Sequence, residues 1–154
     1  MIARVYLDTS VVGGCKDEEF SEWSIKLFRE IQEGDKVAVV SDLTLKELEE
    51  APQNVKSVLN DLNEENIEYV GLSDESVDLA KKYLSENVVG EKHIIDAQHI
   101  AVASVERVDV LASWNFKQIV NLDKIHAFNA VNMKMGYPVL EIRSPREIVN
   151  EKEI

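Results

Sequence analysis

Residues 36–41 read Lys-Val-Ala-Val-Val-Ser (KVAVVS), and this stretch decides the fold. It is β-branched and apolar without alternation, the pattern of a strand covered on both faces in the middle of a parallel sheet. A helical pattern precedes it. Over Glu19–Gln32 the apolar residues Phe20, Trp23, Leu27, Phe28 and Ile31 recur at helical spacing, and Gly34-Asp35 ends the run. After it, Thr44–Glu50 reads as a helix stopped near Pro52, and Val55–Glu64 as a second, polar helix.

The alternation extends in both directions. Arg4–Leu7 (RVYL) reads as a short buried strand, Ile67–Leu72 as another, and Asp74–Leu84 as a helix. Val88–Lys92 is a loop around Gly90, followed by an alanine-rich helix over Ile94–Glu106 and a strand over Val108–Ser113. Leu122–Met135 is a helix stopped by Gly136, and Leu140–Ile142 is a fifth short strand. The last helix, Ser144–Val149, opens with a cap, a Pro at its first position and Glu147 three residues after the cap. Strands separated by helical crossovers imply an α/β fold, with a parallel sheet of about five strands covered on both faces.

Composition narrows the function classes. The chain has 154 residues, 45% of them hydrophobic and 30% charged, which suits one domain with a real core. No signal-peptide pattern is read at the N-terminus, and no apolar stretch approaches the eighteen or so residues that span a bilayer. The expected location is the cytoplasm. Cys15 is alone, so neither an internal disulfide nor a cysteine zinc site is expected. His93, His99 and His126 show no metal-binding spacing. Seventeen basic against twenty-nine acidic residues give a net charge of −12, which opposes a broad electrostatic grip on nucleic acid.

In a parallel sheet, ligands bind outside the carboxyl ends of the strands. Asp8 directly follows the first strand, and Glu47 lies early in the helix after the second. Asn115 sits two residues beyond the fourth strand. Asp96 opens the helix that runs antiparallel to that strand, so its N-terminus lies at the same edge. Topology alone thus gathers four oxygen-bearing side chains. Each also has a plainer role available: Asp8-Thr9-Ser10 as a turn, Glu47 closing a capping box with Thr44, Asp96 complementing its helix, Asn115 as an N-cap. Their coincidence at one edge favours a site.

These residues resemble the motifs of the PIN-domain family, particularly the VapC-like toxins. YLDTSVV (Tyr6–Val12) is similar to the first motif, SDLTLKELEEAP (Ser41–Pro52) to the second, IIDAQHIAVA (Ile94–Ala103) to the third and SWNFKQIVN (Ser113–Asn121) to the fourth. Asn115 departs from the Asp that many members carry. The resemblance implies a three-layer α-β-α PIN-like domain over residues 1–150, with 151–154 as a charged tail. It also implies hydrolysis of RNA phosphodiester bonds with Mg²⁺ or Mn²⁺. In that frame Asp8 and Asp96 are the main metal ligands, and Glu47 holds a metal-bound water or acts as base. Asn115 orients a water, Thr9 or Ser10 hydrogen-bonds Asp8, and Lys117 contacts phosphate or is an ordinary surface lysine. An antitoxin partner and a homodimer belong to the same expectation. The alternative is a degenerate module that binds RNA or protein without cutting, which Asn115 and the acidity favour. A phosphatase is disfavoured by the lack of an Asp-x-Asp after the first strand, and Gly13-Gly14 lacks the spacing of a nucleotide-binding fingerprint.

Overall fold

Alternation on three neighbouring strands sets the layers. In β1 (Ala3–Leu7) and β2 (Lys36–Ser41), Val5, Leu7, Ala38 and Val40 face one side of the sheet, while Tyr6 and Val39 face the other. In β4 (Val110–Ala112), Leu111 joins Tyr6 and Val39, and its neighbours Val110 and Ala112 join the opposite set. All are buried, so helices must cover both faces. The computed structural model describes residues 2–150, and the expected charged tail at 151–154 lies outside the described residues. With β3 (Ile67–Val70) and β5 (Ile142–Arg143), the sheet has five strands in the order β3-β2-β1-β4-β5, every pair parallel.

One face packs against α5 (Asp74–Ser85), α6 (Ile94–Val105) and α7 (Leu122–Lys134), around Tyr83, Ile100 and Phe128. The other packs against α1 (Thr9–Gly14), α2 (Ser21–Gln32), α4 (Gln53–Asn60) and α8 (Pro145–Ile148), around Val11, Leu27, Ile31 and Leu59. The short α3 (Asp42–Leu48) starts where β2 ends. Among the described residues, no helix is long and apolar enough to cross a membrane.

Several element ends differ from the sequence reading, each for a local reason. Asp8-Thr9-Ser10 does not merely turn: Thr9 opens α1, and the Val11 and Val12 that make the run apolar are fully buried. The helix read from Thr44, α3, begins at Asp42 with Ser41 in the N-cap position, so Thr44 lies inside it and cannot cap. Its hydroxyl instead donates to the Leu7 carbonyl at 3.1 Å, tying α3 to β1. The polar helix ends at Asn60, and a separate 3₁₀ turn covers Glu64–Asn66. Another 3₁₀ turn, Glu91–His93, occupies the loop before α6. The fifth strand starts two residues late because Asn129 takes both backbone groups of Leu140, its N–H at 2.7 Å and its carbonyl at 3.0 Å. The capping box at Ser144 and Glu147 forms as read.

Candidate functional site

The site grows from the end of β1. The Asp8 backbone N–H continues the β1–β4 ladder by donating to the Ala112 carbonyl at 3.1 Å, which fixes the next side chain at the sheet's carboxyl edge. Asp8 is only 6% exposed. Its Oδ2 accepts from the Ser10 hydroxyl at 2.6 Å and the Ser113 hydroxyl at 2.9 Å. Ser10 and Ser113 are themselves held in place. The Trp114 N–H donates to Ser10 Oγ and the Asn115 N–H to Ser113 Oγ, each at 2.9 Å. The bond to Asp8 was expected from Thr9 or Ser10. Ser10 makes it, while Thr9 turns to Glu47.

Asp96 stands in the first turn of α6, about a quarter exposed. Its Oδ2 lies 3.3 Å from His93 Nδ1, and its Oδ1 accepts a long 3.4 Å contact from Asn115 Nδ2. Burial and the charge of Asp8 push the Asp96 carboxyl above its usual range, against the pull of His93 and His99.

Glu47 is not part of a capping box. Its Oε1 accepts from Thr9 Oγ1 and from His99 Nε2, both at 2.7 Å. Burial would raise its pKa, but these two hydrogen bonds and the charge of His99 overcome that and hold it low. The histidine was not read as part of any site, yet it sits at the centre of this one. His99 is 1% exposed, its Nδ1 lies 2.7 Å from the Tyr6 hydroxyl, and its Nε2 lies 3.6 Å from Asp8. Tyr6 is tied in turn to Ser41 at 2.6 Å. Burial opposes a charge on His99, but Glu47, Asp8 and Asp96 together hold its pKa above the ordinary value. One signal was available in the sequence: His99 lies three residues after Asp96, on the same face of a helix.

Asn115 does act as a local cap. Its Oδ1 accepts from the Lys117 N–H at 3.2 Å and the Gln118 N–H at 3.0 Å. Two backbone donors fix the amide's orientation, so the carbonyl oxygen is committed and the NH₂ faces Asp96. Lys117 is exposed just beyond.

The donor chemistry fits a hard divalent cation. Asp8 and Asp96 offer carboxylate oxygens whose mutual repulsion a cation would relieve, and Mg²⁺ commonly uses one or two protein carboxylates and keeps several waters. Among the described residues, no three His, Cys, Asp or Glu side chains form a ready-made metal cage. Glu47 is engaged by His99, which leaves Asp8 and Asp96 as the pair that fits.

The comparisons with known proteins agree with this architecture. The fold is shared with VapBC2 from Rickettsia felis, whose structure was solved bound to a DNA fragment from its promoter (TM-score 0.56, 14% identity, 92% of this chain and 98% of that one). It is shared with FitAcB from Neisseria gonorrhoeae (0.57, 15%, 94% and 99%). VapC20 from Mycobacterium tuberculosis, a toxin that cleaves the sarcin-ricin loop, is similar at TM-score 0.55 and 13% identity, over 73% of this chain and 91% of that one. No curated protein matches the chain in sequence. The family model for the PIN domain matches residues 5–134, the segment that supplies every one of these edge residues, and the chain belongs to that family.

Proposed function

We propose that the protein is a VapC-like endoribonuclease that hydrolyses RNA phosphodiester bonds with Mg²⁺ or Mn²⁺. The observation that carries this reading is geometric: Ser113 donates to Asp8 at 2.9 Å and accepts from the Asn115 N–H, whose side chain reaches Asp96, while His99 lies 3.6 Å from Asp8 and 2.7 Å from Glu47. A bound divalent ion would polarise the phosphate, favour ionisation of the attacking water and stabilise the leaving oxygen. Asp8, oriented by Ser10 and Ser113, and Asp96, oriented by His93 and Asn115, would hold it. Glu47, positioned by Thr9 and His99, receives the proton of the attacking water. Lys117, exposed just beyond Asn115, would contact a phosphate. The same reading gives the protein an RNA substrate, a cytoplasmic location, a homodimeric state and an antitoxin partner. The likeness of the fold to VapBC2 and to the toxin VapC20 supports this reading.

A second reading rests on Asn115 and the net charge of −12: a module that binds RNA or protein without cutting. One assay separates them. Single-stranded RNA is incubated with wild type and Asp96→Asn, with Mg²⁺, Mn²⁺ or chelator. The nuclease reading requires cleavage by wild type that both the substitution and the chelator abolish. RNA left intact by wild type at millimolar Mn²⁺ would favour the second reading.

A further inference from the structure

Beside the carboxylates lies an aromatic cleft that the proposed chemistry does not use. Both tryptophans of the chain and two of its four phenylalanines line it, brought from distant segments: Phe20 and Trp23 from around the start of α2, Trp114 and Phe116 from the loop after β4. Phe20 stacks on Trp114 with ring centroids 4.3 Å apart and planes 17° from parallel. Phe116 meets Trp114 edge-on at 6.1 Å and is 50% exposed. Arg146 places its guanidinium 5.2 Å from the Trp23 ring. The cleft encloses about 590 Å³, within the usual range for small-ligand sites.

We propose that this cleft binds an unpaired nucleobase of the RNA strand whose phosphate lies at Asp8 and Asp96. The inference rests on the nuclease reading for its substrate class. Position argues for it first. The Trp114 N–H holds Ser10, Ser10 holds Asp8, and Asn115 follows Trp114 directly and reaches Asp96, so the loop that carries the platform also orients both carboxylates. Charge argues for it second. At −12 the protein gains little from general attraction to phosphates, so beyond the metal site and Lys117 the affinity for a strand depends on contacts indifferent to that charge. Stacking of bases on aromatic rings is such a contact, and it accepts any base. The rim argues against a helical peptide as occupant. Glu19 and Arg146 interrupt the apolar surface, whereas a helix in a groove needs a continuous apolar stripe. The same two groups suit the polar edge of a base.

Because Trp23 and Trp114 are the chain's two tryptophans, intrinsic fluorescence reports on this cleft. The test titrates the full-length Asp96→Asn protein, which cannot cut, with a short unstructured RNA and with the same sequence as a duplex. The expected result is saturable quenching by the single strand and little by the duplex. Adding Phe116→Ala, at a half-exposed position, should weaken the single-strand affinity by about 10-fold or more. In the cutting enzyme, Phe116→Ala should raise KM by a similar factor. Unchanged affinity in Phe116→Ala overturns the proposal, as does equal quenching by duplex or RNA binding without quenching. Quenching by a protein partner and not by RNA assigns the cleft to that partner and also overturns it. The two readings fail separately: wild type that quenches with RNA but cleaves none loses the nuclease reading and keeps the base site.

Discussion

His99 Nε2 lies 2.7 Å from Glu47 Oε1 while the imidazole, 1% exposed, is backed by the Tyr6 hydroxyl. The ring holds the one half-exposed acid of the site against the buried end of the sheet. It also places an imidazole, whose pKa the nearby acids hold above its ordinary value against burial, among three carboxylates. Replacing it by Ala would leave both Tyr6 and Glu47 short of a partner and open a void. His99→Ala should cost about 2–4 kcal/mol of stability, measured by urea unfolding.

The pH dependence follows from the same pair. The pKa of His99 lies above 6.5, so the folded state binds its proton more tightly than the unfolded chain does. That stabilisation is complete below about pH 6.5 and is lost as pH rises through the folded value. Glu47 runs the other way: its lowered pKa stabilises above 4.5, and the gain disappears as pH falls through its folded value. Unfolding free energy should therefore decline from pH 6 towards 8.5, and decline less in His99→Gln, which can donate to Glu47 but cannot take up a proton. Identical declines in the two proteins would mean that folding leaves the pKa of His99 unchanged.

Asp96 predicts the response to metal. Its pKa is raised by burial and, second, by the charge of Asp8, and a divalent ion would offset both. Millimolar Mg²⁺ or Mn²⁺ should raise Tm, with a gain of about 2.7 kcal/mol where the ion is at a hundred times its Kd. Asp96→Asn should melt at a temperature indifferent to either ion. A wild-type Tm that ignores both would remove the metal from the proposed chemistry.

Asn115 separates capping from coordination. Asp caps about as well as Asn, so Asn115→Asp should change stability little, whereas Asn115→Ala should cost roughly 1 kcal/mol. The new carboxylate would also stand beside Asp96 and tighten Mg²⁺ binding, read by isothermal titration. Equal affinity in both proteins would place the side chain outside the ion's reach.

Gly14 is needed for close approach. A Cβ there would lie 2.6 Å from Ser24 Oγ and 2.7 Å from Trp114 Nε1, which are themselves hydrogen-bonded at 2.8 Å. Overpacking costs about 1–3 kcal/mol, and the better helix propensity of Ala returns at most about 1. Gly14→Ala should therefore lose about 1–2 kcal/mol by urea unfolding and shift the tryptophan emission. Unchanged stability and emission would show that Trp114 repacks freely.

The parallel sheet was legible because KVAVVS and its neighbours carry no polar face, and the carboxyl-edge positions of Asp8, Glu47, Asp96 and Asn115 followed from topology. The strand order did not follow, since hydrophobic pattern says which strands are central but not who neighbours whom. Thr44 was misread because a Thr three residues before a Glu looks like a cap wherever the helix starts, and here Ser41 starts it. Leu140 looked like strand because side-chain capture by Asn129 leaves no trace in local pattern. His99 was passed over because nothing near it in sequence announces Tyr6 or Glu47 as partners. The aromatic cleft was hidden for the same reason, its rings coming from residues nearly a hundred positions apart.

That separation has a consequence for how the protein is made. Asp8 leaves the ribosome early, but Ser113, which orients it, belongs to a strand translated about a hundred residues later. Until β4 docks on β1, Asp8 lacks the Ser113 bond, and Trp114 has not fixed Ser10. The edge that holds Asp8 is thus incomplete until β4 has been made and docked, late in synthesis, and on the nuclease reading a nascent chain would be unarmed while still tethered to its message.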